Sequence, residues 1–157
     1  VTGTTDVISF TLDEDANTEG DEFMVVSLTG GPTASTSITV NDTSQAPSFT
    51  PDYSITVTHA GNNYYFSGTD RNGTFNNSSQ PSLAYNNADK VQFNVDASTA
   101  SAHPFYIKTQ QVAGTGSQAS GVVGNGTGTL QWTIGSSATF WYQCSIHNGM
   151  HNTITVT

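Results

Sequence analysis

The stretch "FWYQCSIHNGMHNTITVT", Phe140 to Thr157, decides how the rest of the chain is read. Phe140, Tyr142 and Cys144 recur at every second position, the period of a strand with one buried face. "NTITVT" (152–157) has the same character, so "SIHNGM" between them is a tight turn. That turn gathers the scarce side chains. The chain's single cysteine, Cys144, is followed by His147 and Met150 at C-x2-H-x2-M spacing, with His151 next. A short turn folds such side chains back, so that thiolate, imidazole nitrogen and thioether sulfur converge. Those donors suit copper passing between Cu(I) and Cu(II).

A site of this kind needs one more imidazole from a neighbouring strand. His103 heads the apolar run "PFYI" and so sits at a strand entrance, where the loops of a sandwich gather. His59 is expected in a hairpin turn, facing solvent. His151 either reaches the metal in place of Met150 or lines the rim. The plainer alternative is a buried free thiol beside two surface histidines, with no metal. One cysteine forms no internal disulfide. A cysteine–histidine nucleophile requires an orienting third group, and "CSIHNGMH" supplies no acid.

Upstream, the apolar residues gather into short alternating runs. Hydrophobic residues make up 34% of the 157, low enough to raise the question of disorder, and the alternation argues for many strands with polar loops instead. "YSITVT" (53–58), the turn "HAGNN" (59–63) and "YYFSGT" (64–69) read as a hairpin. Residues 70–82 read as a Gly/Asn/Ser-rich connection. "DKVQFNV" (89–95) turns Val91, Phe93 and Val95 to one face, and "HPFYIKT" (103–109) does the same with Phe105 and Ile107. Residues 110–128 form a Gly-rich loop before the strands "TLQWTI" (129–134) and "ATFWYQC" (138–144). Trp132 and Trp141 are core candidates. No segment has a helical period, so the fold is an all-β sandwich.

The first 47 residues differ. They carry eight acids and no Lys or Arg, whereas the remainder is nearly neutral. "VISFTL" (7–12), "EFMVVSLT" (22–29) and "STSITVND" (35–42) read as three strands, which bury one face at best and need further sheet. "DEDANTEGDE" (13–22) holds six acids in ten positions. A solvated turn is the simpler account of it. Calcium is the alternative, because Asp13, Asp15, Glu19, Asp21 and Glu22 offer hard oxygens in a short span, although in no EF-hand spacing. Two prolines in "TSQAPSFTP" (43–51) mark a linker, giving a segment 1–47, a linker 48–52 and a domain 53–157. A net charge of −9 opposes binding to nucleic-acid phosphates, and no basic amphipathic face or long apolar run points to a membrane. With no initiating Met and no signal peptide, the chain is expected to be a piece of something longer.

Residues 53–157 resemble the cupredoxin family, the plastocyanin- and amicyanin-like blue-copper electron carriers. The resemblance rests on "DKVQFNV" followed by His103, and above all on "FWYQCSIHNGMHNTITV". It implies a Greek-key β-sandwich, and it places the family's copper ligands on His103, Cys144, His147 and Met150. No open coordination position is implied, so catalysis is not expected. One departure stands out. The family commonly has Asn after the first ligand, tying the two ligand loops together, and Pro104 here has neither a side-chain amide nor a backbone N–H. The resemblance therefore implies fewer hydrogen bonds at the thiolate.

Residues 7–47 resemble the second half of a Calx-beta repeat, through "DEDANTEGDEFMVVSLT" and "ITVND". This implies a partial β-sandwich segment completed by upstream strands or by another subunit. The combination is also similar in style to modules of marine bacteriophage structural proteins. Together the resemblances imply a copper module, with calcium as a second candidate metal, in an extracellular, cell-surface or virion structural protein. Neighbouring copies or domains, a homo-oligomer or a redox partner would be its contacts. The competing expectation is a structural or adhesion module whose metal is structural or absent.

Overall fold

In a computed structural model of the chain, the described residues are 22–27, 35–40 and 48–157. The chain divides into two compact units, Val1–Ser48 and Phe49–Thr157. In the first, β1 (Glu22–Ser27) and β2 (Ser35–Val40) pair antiparallel, with Glu22 opposite Val40 and Ser27 opposite Ser35. The strand expected over 7–12 and the acids Asp13, Asp15, Glu19 and Asp21 lie outside the described residues, as does the side chain of Glu22.

The second unit is an all-β sandwich with one short helix. Its first sheet contains β3 (Tyr53–Ala60), β4 (Asn63–Asp70), β5 (Gly73–Ser79), β7 (Lys90–Val95), β9 (Val122–Val123) and β10 (Thr129–Thr133), in the order β5-β4-β3-β7-β10-β9. The second runs β6-β12-β11-β8, from β6 (Leu83–Tyr85), β8 (Phe105–Lys108), β11 (Thr139–Cys144) and β12 (His151–Val156). Most neighbours are antiparallel, but β3 pairs parallel with β7, and β12 with β6, so both sheets are mixed. The chain crosses repeatedly from one sheet to the other, in the Greek-key manner.

Alternation explains the core. Ile55, Val57, Val91, Phe93, Leu130 and Trp132 face inward from the first sheet, and Phe105, Ile107, Tyr142, Cys144 and Ile154 meet them from the second. Aromatic rings fill the space between. Phe66 and Tyr142 have centroids 4.6 Å apart, Tyr64 and Phe105 5.2 Å, and Trp132 meets Phe140 edge-on at 5.0 Å. Such contacts prefer tilted and edge-on geometry because of the ring quadrupole.

Five features depart from the pattern read in the sequence, one of them β9, which lies within the stretch 110–128 read as a Gly-rich loop. The hairpin turn is shorter than "HAGNN", because β3 continues to Ala60 and β4 begins at Asn63, with Gly61 at φ 56° closing the bend. β5 occupies the stretch read as a connection. It is an exposed edge strand held by pairing with β4, so it needs no apolar alternation of its own. β6 is fully buried on the parallel edge of β12. A helix, α1 (Ala97–Ala102), follows β7. Asp96 caps it, its carboxylate accepting from Ser98 N–H at 2.9 Å and Thr99 N–H at 3.2 Å. Six small residues show no helical period, and only the cap announces the helix.

Asp70 holds one end of the sandwich. Its carboxylate accepts from Asn72 and Gly73 N–H in the β4–β5 turn, and from Ala84 N–H in β6 at 2.8 Å. The opposite end carries the histidines.

Candidate metal centre

The helix α1 exists to end where it does. Its last turn delivers His103, whose N–H donates to Thr99 carbonyl at 2.7 Å and whose own carbonyl accepts from Tyr64 Oη at 2.7 Å. Burial, with the Cys144 thiol next in importance, pushes the Tyr64 hydroxyl well up in pKa, so it stays a donor. Pro104 then leads into β8, a position that suits a residue without an N–H.

Cys144 ends β11, fully buried, and its N–H donates to Met150 carbonyl at 2.9 Å as the chain returns into β12. The turn brings His147 over the sulfur. His103 Nδ1 and His147 Nδ1 are 3.0 Å apart, and Cys144 Sγ lies 4.0 Å from the first and 3.7 Å from the second. The ligand atoms of these three residues all lie within 4.8 Å of one another, the one such group among the described residues. Ile146 N–H points at the sulfur from 3.4 Å, a charge-assisted contact once the thiol ionises.

The donor set fits a transition metal. Bonds of roughly 2.0–2.3 Å from one centre separate N and S donors by about 3.3–3.8 Å, and the distances here straddle that range. Two imidazole nitrogens 3.0 Å apart are satisfied only by a shared proton or by a cation between them. Two imidazoles and a thiolate are the strong donors of a blue-copper site, with a weak thioether as the usual fourth partner. Met150 is fully buried in the same core and is tied by its backbone to Cys144 and His147. His151 is turned away from the cluster. Its Nδ1 meets Asn148 carbonyl at 2.7 Å, leaving it a brace for the turn.

The missing asparagine amide is replaced by main chain. Ser145 N–H donates to the Pro104 carbonyl at 3.1 Å, joining the two ligand loops directly. A third loop buttresses them: Gly114 N–H donates to Ser145 carbonyl at 2.7 Å, and Ala113 N–H to Asn148 Oδ1 at 3.3 Å. That loop is held from beneath by Lys108, whose buried ammonium donates to the carbonyls of Val112 and Gly114, each at 2.6 Å. Burial lowers the lysine's pKa.

His59 is half-buried rather than solvated, which corrects the expectation from sequence. It shares the inward face of β3 with Ile55 and Val57, and its Nδ1 meets Thr99 Oγ1 at 2.9 Å. Its ring packs on that of His103 at 4.7 Å, and His103 in turn packs on His147 at 4.8 Å. Burial first, then His59 and His147, keep His103 below the ordinary imidazole pKa and hence neutral, the form that offers a lone pair. Extending the alternation Ile55–Val57 by one step would have found His59. Gln143 was also missed, since its place on the strand predicts an outward side chain, yet it is fully buried.

The two mixed sheets form an all-β sandwich with this cluster at one end. No family model matches the chain, and no curated protein matches it. Among solved structures, a methionine-to-glutamine mutant of rusticyanin is similar, with a TM-score of 0.39 and 16% identity over 66% of this chain and 76% of that one. A likeness so slight leaves the fold to rest on the strands and their pairing.

Proposed function

We propose that the chain binds one copper ion in a type 1 (blue) site and serves in one-electron transfer. His103 and His147 supply nitrogen, Cys144 the thiolate and Met150 a weak axial contact. The observation that carries this reading is the convergence of His103 Nδ1, His147 Nδ1 and Cys144 Sγ. Bound copper would supply the redox couple. The residues hold the donors in place before binding, so that neither oxidation state demands a large rearrangement. A neutral His103, a buried thiol with one N–H directed at it, and a closed apolar floor all serve that end.

We place the domain within a longer extracellular, cell-surface or virion structural protein, with neighbouring copies or domains and a redox partner as its contacts. This placement rests on the acidic leading segment and its Calx-beta-like motif. A structural role for the metal is the second reading, favoured by the way both ligand loops are cross-tied. Metal that binds only the folded form stabilises it by mass action.

Addition of Cu(II) to the purified protein checks the first reading. One equivalent should raise an intense visible sulfur-to-copper absorption band, absent from a Cys144→Ser variant. A folded protein that takes up no copper, or shows no such band, would remove the blue-copper assignment. Thermal melts of metal-free, Cu(II) and reduced forms separate the roles. A structural metal raises the melting temperature and is not reversibly reduced.

A further inference from the structure

We propose that Gln143 is a positioning residue whose side-chain amide templates the ligand loop from beneath. The loop Cys144–Met150 makes a tight turn in which Cys144 N–H meets the Met150 carbonyl and Met150 N–H the His147 carbonyl, each carbonyl keeping a second lone pair. Gln143 Nε2 sits among three of the loop's carbonyls, donating to His147 carbonyl at 2.9 Å and Cys144 carbonyl at 3.0 Å, with Met150 carbonyl at 3.5 Å. These carbonyls belong to the three loop residues that carry the cysteine, histidine and methionine donors. A single NH2 group thus sets the backbone from which all three side chains project.

The amide's orientation follows from the same contacts. Exchanging its oxygen and nitrogen would direct an acceptor at three acceptors, with no proton to share. In the observed orientation Oε1 is buried without a partner. A buried acceptor left unmet is unfavourable, so the position is held for its donors. The role is distinct from that of the Pro104 carbonyl, which ties the loop to its neighbour through Ser145 N–H without shaping its interior. The inference rests on the copper reading for what the loop serves, but not for whether Gln143 orders it.

The test compares wild type with Gln143→Met, which keeps the length of the side chain and removes its donors. In metal-free protein, amide exchange at Ser145, Ile146 and Met150 should accelerate at least tenfold, with the strand amides of β11 and β12 unchanged. Copper affinity should fall by roughly 10- to 100-fold, the usual consequence of losing an outer hydrogen-bonding partner. A folded variant with wild-type loop exchange would overturn the inference. Loop loosening in a protein that binds no copper would sustain it while removing the copper reading. Should the variant not fold, wild type alone decides. The Gln143 side-chain amide protons should exchange far more slowly than those of exposed Gln110 and Gln111, and equal rates would overturn the proposal.

Discussion

The two ends of β11 are built on different principles. At Phe140 and Tyr142 the strand is held by packing against rings from both sheets. At the other end the Gln143 amide donates to the ligand loop, and just past Cys144 the next residue, Ser145, donates its N–H to the Pro104 carbonyl and accepts from Gly114 N–H of a neighbouring loop. Packing is non-directional and tolerates small shifts. Hydrogen bonds are directional, and they fix where atoms point. The chemistry sits at the directional end, on the floor that the packed end provides.

Substitutions should separate these roles. The largest effect is expected from Phe105→Ala, which removes a ring packed on Tyr64, Phe66, Phe93 and Tyr142. It should destabilise the domain by about 3–5 kcal/mol in urea unfolding and weaken the site with it. If copper binding survived intact, the floor would matter less than claimed. Tyr64→Phe should lower stability by about 1–2 kcal/mol, since the buried His103 carbonyl loses its donor. Its metal affinity should drop more than an equally destabilising change in the core would lower it. His59→Ala should cost about 0.5–1 kcal/mol through the lost Thr99 contact. The His103 ring should become more mobile in metal-free protein by NMR relaxation, and an unchanged ring would show that His59 is a bystander.

The smallest effect is a pH dependence. His103 has a folded pKa below its ordinary value near 6.5, so the unfolded chain binds the proton more readily. Its contribution to stability is therefore full above that value and is lost as pH falls through it toward the folded pKa. Metal-free wild type should lose denaturant resistance between about pH 7.5 and 5 more steeply than His103→Gln. Parallel curves would contradict that assignment.

Much of this was legible in the letters because period-two alternation reports directly on a half-buried strand. Val91, Phe93 and Val95, and again Phe105 and Ile107, announce their shared faces, and the structure buries all five. What alternation could not announce was structure made by pairing or capping. β5 is polar and exists through its partner, and α1 is too short for a helical period. Gln143 lies on the face that alternation assigns to solvent, and the ligand loop folds over it to bury it. His59 was obscured by a turn judged two residues too long at its start, a small error of boundary that moved a site residue into solvent.

The central claim is that one thiolate and two imidazoles share a single metal. X-ray absorption fine structure at the copper edge, on protein loaded with one equivalent, tests it most directly. One short copper–sulfur distance and a shell of two imidazole nitrogens are expected, with the sulfur shell lost in Cys144→Ser. A copper environment of nitrogen and oxygen alone in the wild-type protein would contradict it.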